Sequence, residues 1–245
     1  CPQVNLSSAL TKLLGALPPP APDRNVLLAS EDCFPSLAYV LARAGHAGFR
    51  CRLLPRTIDP ADVADWCDAL EDAGVYGALV THVHSNTGAA APIEAVADAC
   101  RARGKLCIVD VAQSAGVLPI DVGRLGADVV LGSCVKWLCG GPGAGFMWIR
   151  AGLWESLQPV DVGWFSHARP FDGDPHVFEY APDARRFWGG TPSIAPYALA
   201  AASVGQITAI GIDRIQAHNL ALKRALLAGL PGELHKLWPA GAPGS

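Results

Sequence analysis

Apolar positions along this chain follow two rhythms that trade places. Leu6, Ala9, Leu10, Leu13, Leu14 and Leu17 recur at helical spacing, with Asn5 or Ser7 as cap and prolines 18–20 as stop. The chain starts, on this reading, directly inside that helix. Residues 25–29 form a short apolar run, and Phe34-Pro35-Ser36 opens a helix carrying Leu37, Val40 and Leu41 that Gly45 ends. Phe49, Cys51 and Leu53 alternate with arginines, which predicts a half-exposed strand. A helix follows around Val63, Trp66 and Leu70, then a strand over 77–83 and a polar turn at 84–88. Ile93, Val96 and Cys100 mark the next helix, ended by Gly104, and strands follow at 106–110, 128–133 and 145–149. Over 151–190 the periodicity fades and aromatics accumulate. A loop of that length inside a domain is usually functional. Helical spacing returns at 193–209 and 212–229, and ELHKLWPAGAPGS at the end carries no pattern.

Strands alternating with helices over 25–150 predict parallel βαβ units, an α/β three-layer sandwich around a mostly parallel central sheet. In such sheets ligands gather beyond the carboxyl ends of the strands. Phe34, the THVHSNTG turn, Asp110 and Lys136 all follow strand ends. Asp110 and Lys136 each end an apolar run, so each charge is expected to be buried and must be paired or used. They form an ion pair with each other, or they grip one ligand.

Composition narrows the classes. The 245 residues are 51% apolar and 17% charged, enough for a sizeable core. A net charge of −3 gives no electrostatic reason to expect nucleic acid. No apolar run is long enough for a membrane helix. Eight cysteines without a CxxC pair read as reduced thiols, hence a cytoplasmic protein, rather than as a disulfide framework or zinc site. His82 and His84 alternate as zinc ligands can, but no third ligand is evident, so no metal is expected. Neither GxxxxGK[ST] nor GxSxG is present.

What remains is carbonyl chemistry. A lysine that loses hydration beside an apolar strand end becomes a usable nucleophile or base, suited to a Schiff base with an aldehyde. Asp110 can hold a protonated pyridine nitrogen, Gln113 can reach the ring's phenolic oxygen, and Phe34 can stack on the ring. Glycines 140–145 and Thr191 can admit a phosphate. These are the parts of a pyridoxal 5'-phosphate site.

THVHSNTG, IVDVAQSAG and DVVLGSCVKWLCGGPGAGFMWI together resemble the class V branch of the fold-type-I pyridoxal phosphate enzymes. GWFSHARPF followed by RFWGGTPSI, with QVNL at the start and FPS at 34–36, resembles the kynureninase family within it. The resemblance implies that Lys136 binds the cofactor aldehyde and moves the substrate's α-proton, that Asp110 pairs with the pyridine nitrogen, and that Gln113 replaces a family histidine. It implies further cofactor contacts at Pro2, Gln3, Phe34, Pro35, Ser36, Leu37, Thr81, Asn86, Trp164 and Thr191, and a homodimer. It implies a cofactor-binding core over 1–192 and a helical segment, 193–245, leading towards a small domain. The implied reaction is hydrolysis of the Cβ–Cγ bond of L-kynurenine or a related amino acid. Cysteine desulfurase, C–S lyase or aminotransferase activity, or a catalytically impaired relative, are the alternatives. Three departures bear on this: Leu37 stands where the family has aspartate, Val135 where it has tyrosine, and the substrate-clamping arginine of the small domain has no counterpart before Ser245.

Overall fold

The structure, a computed structural model, describes residues 1–231. The patternless stretch 233–245 lies outside the described residues. Seven strands form one sheet: β1 (Pro2–Gln3), β2 (Val26–Ser30), β3 (Arg50–Leu54), β4 (Val75–Thr81), β5 (Leu106–Asp110), β6 (Val129–Ser133) and β7 (Gly145–Ile149), in the order β1-β7-β6-β5-β4-β2-β3. The pairs from β6 to β3 are parallel, and β7 runs antiparallel to both β6 and β1.

Side chains alternate across the strands and divide the core into two layers. Leu27, Leu79, Ile108 and Leu131 face helices α1 (Leu6–Ala16) and α2 (Pro35–Ala42). Leu28, Val80, Val109 and Val130 face α3 (Val63–Glu71) and α4 (Ile93–Ala102), with Trp66 and Leu70 of α3 almost fully buried. β3 is an edge strand with most of its residues partly open, as its arginines predict. The three-layer α/β sandwich expected from the alternation is the fold observed.

Two local expectations fail. First, the helix–strand alternation stops at β5: no helix joins β5 to β6 or β6 to β7. Gly116, Pro119, Gly123 and Gly126 break the first connection, and Pro142 among the glycines at 140–145 makes the second a tight reversal, so β7 returns antiparallel. Second, the chain does not begin inside a helix. Pro2 and Gln3 pair with Phe146 and Gly145, and α1 starts only at Leu6, where the Asn5 side chain accepts the Ser8 N–H at 2.8 Å.

The long connection 151–190 is built of short 3-10 turns and pinned by one buried cation. Arg186 donates to the carbonyls of Ala181, Trp154 and Leu157. Beyond it, α5 (Ala195–Ile210) and α6 (Ile212–Gly229) meet at 76° across Gly211, whose φ of +93° only glycine adopts readily. Among the described residues no single helix is long and apolar enough to cross a membrane.

Leu10 is wholly buried under the sheet. Leu10→Ala is expected to lower the unfolding free energy by about 2–5 kcal/mol, read as a shift in the urea midpoint at unchanged slope.

Candidate active site

Strands β2, β4, β5 and β6 run the same way and end on one rim of the sheet, at Ser30, Thr81, Asp110 and Ser133. A cleft of about 460 Å³ opens on this rim. The first turns of α1 and α2 close one side of it, with Asn5, Ser7 and Ser8 from one and Phe34, Ser36 and Leu37 from the other. Thr81 and Asp110, register partners on β4 and β5, form its floor, and Gln113, Val135 and Lys136 complete it.

Asp110 is 4% exposed. One carboxylate oxygen accepts the Ala112 N–H at 2.8 Å. Burial pushes its pKa from the ordinary 3.8 up to about 6, against the smaller opposing pulls of the Ala112 N–H and the nearby Thr81 hydroxyl. That hydroxyl lies close without making a hydrogen bond of ordinary geometry and has no other protein partner. The floor of the cleft therefore holds a carboxylate that lacks a counter-charge and a hydroxyl that lacks a bond.

Lys136 departs from expectation. It is exposed, on the turn after β6, and no ion pair joins it to Asp110. Its Nζ lies 5.7 Å from the centre of the Phe34 ring, so cation and aromatic face each other across the mouth of the cleft. The turn itself is stiff. Gly140 N–H donates to Cys134 O at 2.7 Å, Cys139 N–H donates to Lys136 O at 2.9 Å, and Cys139 takes a left-handed φ of 53°. A neighbouring connection supports it from behind. Gly116 has φ +98°, and a side chain there would come within 2.9 Å of the Trp137 backbone.

Gln113 is held by the same turn, its Oε1 accepting the Trp137 indole N–H at 3.1 Å. With that oxygen engaged, the amide NH₂ is the group left to donate.

The structure brings Phe34, Ser36, Leu37, Thr81, Asp110, Gln113 and Lys136 into one cleft. Pro2 and Gln3 sit in the edge strand instead, where Gln3 is buried and its amide donates to Phe187 O. Pro35 is the first residue of α2 and is not in the lining. Asn86 is not in the lining and its amide donates to Asp32 at 2.8 Å, while its neighbour Ser85 lines the cleft. Trp164 and Thr191 bond to each other at 3.2 Å, outside the cleft of their own chain. Ser7, Ser8 and Ser133 join the lining beyond the residues that the sequence singles out, and Ser85 comes from the THVHSNTG turn. Ser133 is the last residue of β6, and that position was its only signal. Among the described residues no cluster of three His, Cys, Asp or Glu side chains suits a metal.

This donor set fits a flat heteroaromatic ring with a protonated nitrogen and an aldehyde. The unpaired carboxylate answers the cation, Phe34 offers an aromatic face, the Gln113 amide offers a donor, and Lys136 is the one primary amine in the lining.

The model of the family Aminotransferase class-V matches residues 61–234. The chain is 32% identical over 226 residues to kynureninase of Burkholderia pseudomallei (strain K96243), covering 92% of this chain and 53% of that protein. It is also 32% identical over 195 residues to the "Uncharacterized aminotransferase YcbU" of Bacillus subtilis (strain 168), covering 80% of this chain and 50% of that protein. In fold it is similar to the apo cysteine desulfurase of Thermococcus onnurineus NA1, with a TM-score of 0.81 at 22% identity over all of this chain and 60% of the other. The chain thus spans about half the length of the curated relatives it matches.

The raised pKa of Asp110 has a thermodynamic consequence. Between about pH 4 and 6 the folded chain binds the Asp110 proton and the unfolded chain releases it, so stability falls as pH rises through that window. The shift corresponds to about 3 kcal/mol, present below pH 4 and lost above pH 6. Urea titrations of the cofactor-free chain across this range should show the fall, and Asp110→Asn should flatten it.

Proposed function

The chain belongs to the class V aminotransferase family, whose cofactor is pyridoxal phosphate, and on that premise we propose that it hydrolyses the Cβ–Cγ bond of L-kynurenine or a related aryl-keto amino acid. Water adds to the side-chain ketone, the Cβ–Cγ bond breaks, the aryl group leaves as an anthranilate, and Cβ gains a proton to give alanine. The observation that carries this reading is the likeness to kynureninase across 92% of the chain, which includes the aromatic segment 151–190. The cleft adds a second argument. A desulfurase needs a mobile cysteine thiol at the substrate, and no cysteine lines this cleft. Cys134 is buried, and the Cys139 thiol turns back to Trp137 O.

The bound cofactor supplies an electron sink for the carbanion that forms at Cα. Lys136 Nζ, the one primary amine in the lining, would hold the cofactor aldehyde and would move the α-proton. Asp110 would keep the ring nitrogen protonated, which its burial beside no other cation equips it to do. Gln113 would donate to the ring oxygen, with its amide oriented by Trp137. Phe34 would cover one ring face. The Ser7 N–H and the hydroxyls of Ser7 and Ser8, at the start of α1, would stand where a phosphate is held well, the Ser8 N–H being taken by the Asn5 cap.

We propose a homodimer in which Trp164 and Thr191, joined to each other but outside their own cleft, complete the cleft of the partner. Trp164 and Phe171 are 51% and 75% exposed, an apolar patch that a second copy would cover. Residues 1–192 act on this reading as the cofactor-binding core and 193–245 as the lead into a small domain. The eight free cysteines support a cytoplasmic setting. The likeness to the aminotransferase YcbU supports transamination as a second reading, since it needs the same lysine and the same carboxylate.

Reconstitution with pyridoxal phosphate should give a visible absorption band that Lys136→Ala abolishes. Absence of the band would overturn both readings. Anthranilate fluorescence released from kynurenine is then expected, without sulfide from cysteine. Alanine-to-keto-acid exchange without anthranilate would favour transamination.

A further inference from the structure

The end of the sheet opposite the cleft holds a cavity of about 550 Å³ where the parallel strands begin. Pro18, Pro19 and Pro20, just after α1, form one wall, with Tyr76 of β4 and Leu106 of β5. Leu106 and Asp110 are the two ends of β5, so this cavity and the floor of the cleft stand roughly 13 Å apart.

The lining is cationic: Arg24, Arg101, Lys105 and Arg150, with Asp128 as the carboxylate. Asp128 is already occupied, by Arg150 at 2.9 Å and by the Cys107 N–H at 2.9 Å. Arg101 has a carboxylate of its own, Asp98, at 2.7 Å. Arg24 and Lys105 have none. The Arg24 guanidinium donates to the Gly104 carbonyl and makes no ion pair among the described residues. Lys105 donates to the carbonyls of Asp72 at 2.7 Å and Val75 at 3.0 Å, while the Asp72 carboxylate is held by Arg52 at 2.6 Å.

Lys105 is only 7% exposed. Burial first, and then the charge of Arg24, push its pKa below the usual lysine value. The same guanidinium acts on Tyr76, opposing the rise that burial gives its pKa. Arg24 is thus within Coulomb reach of both groups. The Tyr76 ring is held edge-on by Phe49, with centres 5.0 Å apart, and its hydroxyl has no hydrogen bond among the described residues. Neighbouring like charges without a carboxylate are unfavourable until an anion joins them.

We propose that this cavity binds a small phosphate monoester with a flat apolar body. The two phosphate charges answer the two unneutralised cations. The phosphate oxygens accept from the Arg24 N–H groups that Gly104 leaves unused, from the remaining proton of Lys105 and from the Tyr76 hydroxyl. The body lies against the Tyr76 ring and the proline wall, whose backbone is stiff. A monocarboxylate leaves one cation unanswered, and a cation is repelled. The site is separate from the cleft and holds whether or not the cleft carries a cofactor.

Calorimetric titration of the full chain with phenyl phosphate tests this. The expected dissociation constant is below about 1 mM, with inorganic phosphate and phenol each at least tenfold weaker because each offers only part of the contact. Arg24→Glu and Lys105→Met should each weaken phenyl phosphate at least tenfold. Lys105→Met strands two carbonyls and is the variant at risk of misfolding, whereas Arg24 is exposed and its variant reports alone. Lys136→Ala, in the cleft, should leave the binding unchanged. Competition by adenosine monophosphate or by pyridoxamine phosphate then tells a nucleotide from a free cofactor form. Binding that survives Arg24→Glu, that is lost in Lys136→Ala, that inorganic phosphate matches, or that neither competitor displaces would overturn the proposal.

Discussion

One buried carboxylate sets the terms for the site. Asp110 ends a central strand between two parallel neighbours, level with the last residue of β4 and with Leu131 of β6, and its burial already costs it a raised pKa. Such a group is tolerated where something else discharges it. Here the ion-pair solution is not taken, because the nearest candidate cation, Lys136, stands on an exposed turn facing Phe34. The interior of the cleft is thus prepared for a positive, flat guest, with the amine waiting at the mouth rather than at the floor.

Much of this was legible in the chain because the two core layers depend on local rhythm. Strand and helix periods put β2 to β6 and α1 to α4 close to where they lie, and the strand-end rule brought Phe34, Thr81, Asp110 and Lys136 to one rim. Where the reading failed, the outcome hung on backbone reversals that the rhythm does not encode. The glycine- and proline-rich connections after β5 and β6 hold no crossover helix and turn β7 around, where the alternation predicts a parallel strand. A one-residue difference in the turn after β4 decides that Ser85, not Asn86, enters the cleft. The exposure of Lys136 depends on the height of a turn, which an apolar run in the strand before it does not reveal.

The segment 151–190 solves a different problem. It has no regular element to satisfy its carbonyls, yet it cannot collapse into the core. Arg186 replaces a ladder of backbone bonds with one guanidinium that gathers acceptors from three points along the segment. Around that anchor, Trp164, Phe165 and Phe171 pack edge to face and Trp188 tilts against Phe165, with ring centres 5.3–6.0 Å apart, and Trp164 and Phe171 still present their surfaces outward.

Gly116 touches no part of either cavity, and its side is occupied by the backbone of Trp137. Any larger residue there must push the lysine turn outward or twist itself out of a left-handed backbone. Sequence drift at this position is therefore tied to drift at the amine itself. A lineage that relaxes selection on chemistry would be free to lose Gly116 at the same time as Lys136, so the pair serves as a record, readable in sequence alone, of whether descendants of this chain still use the cleft.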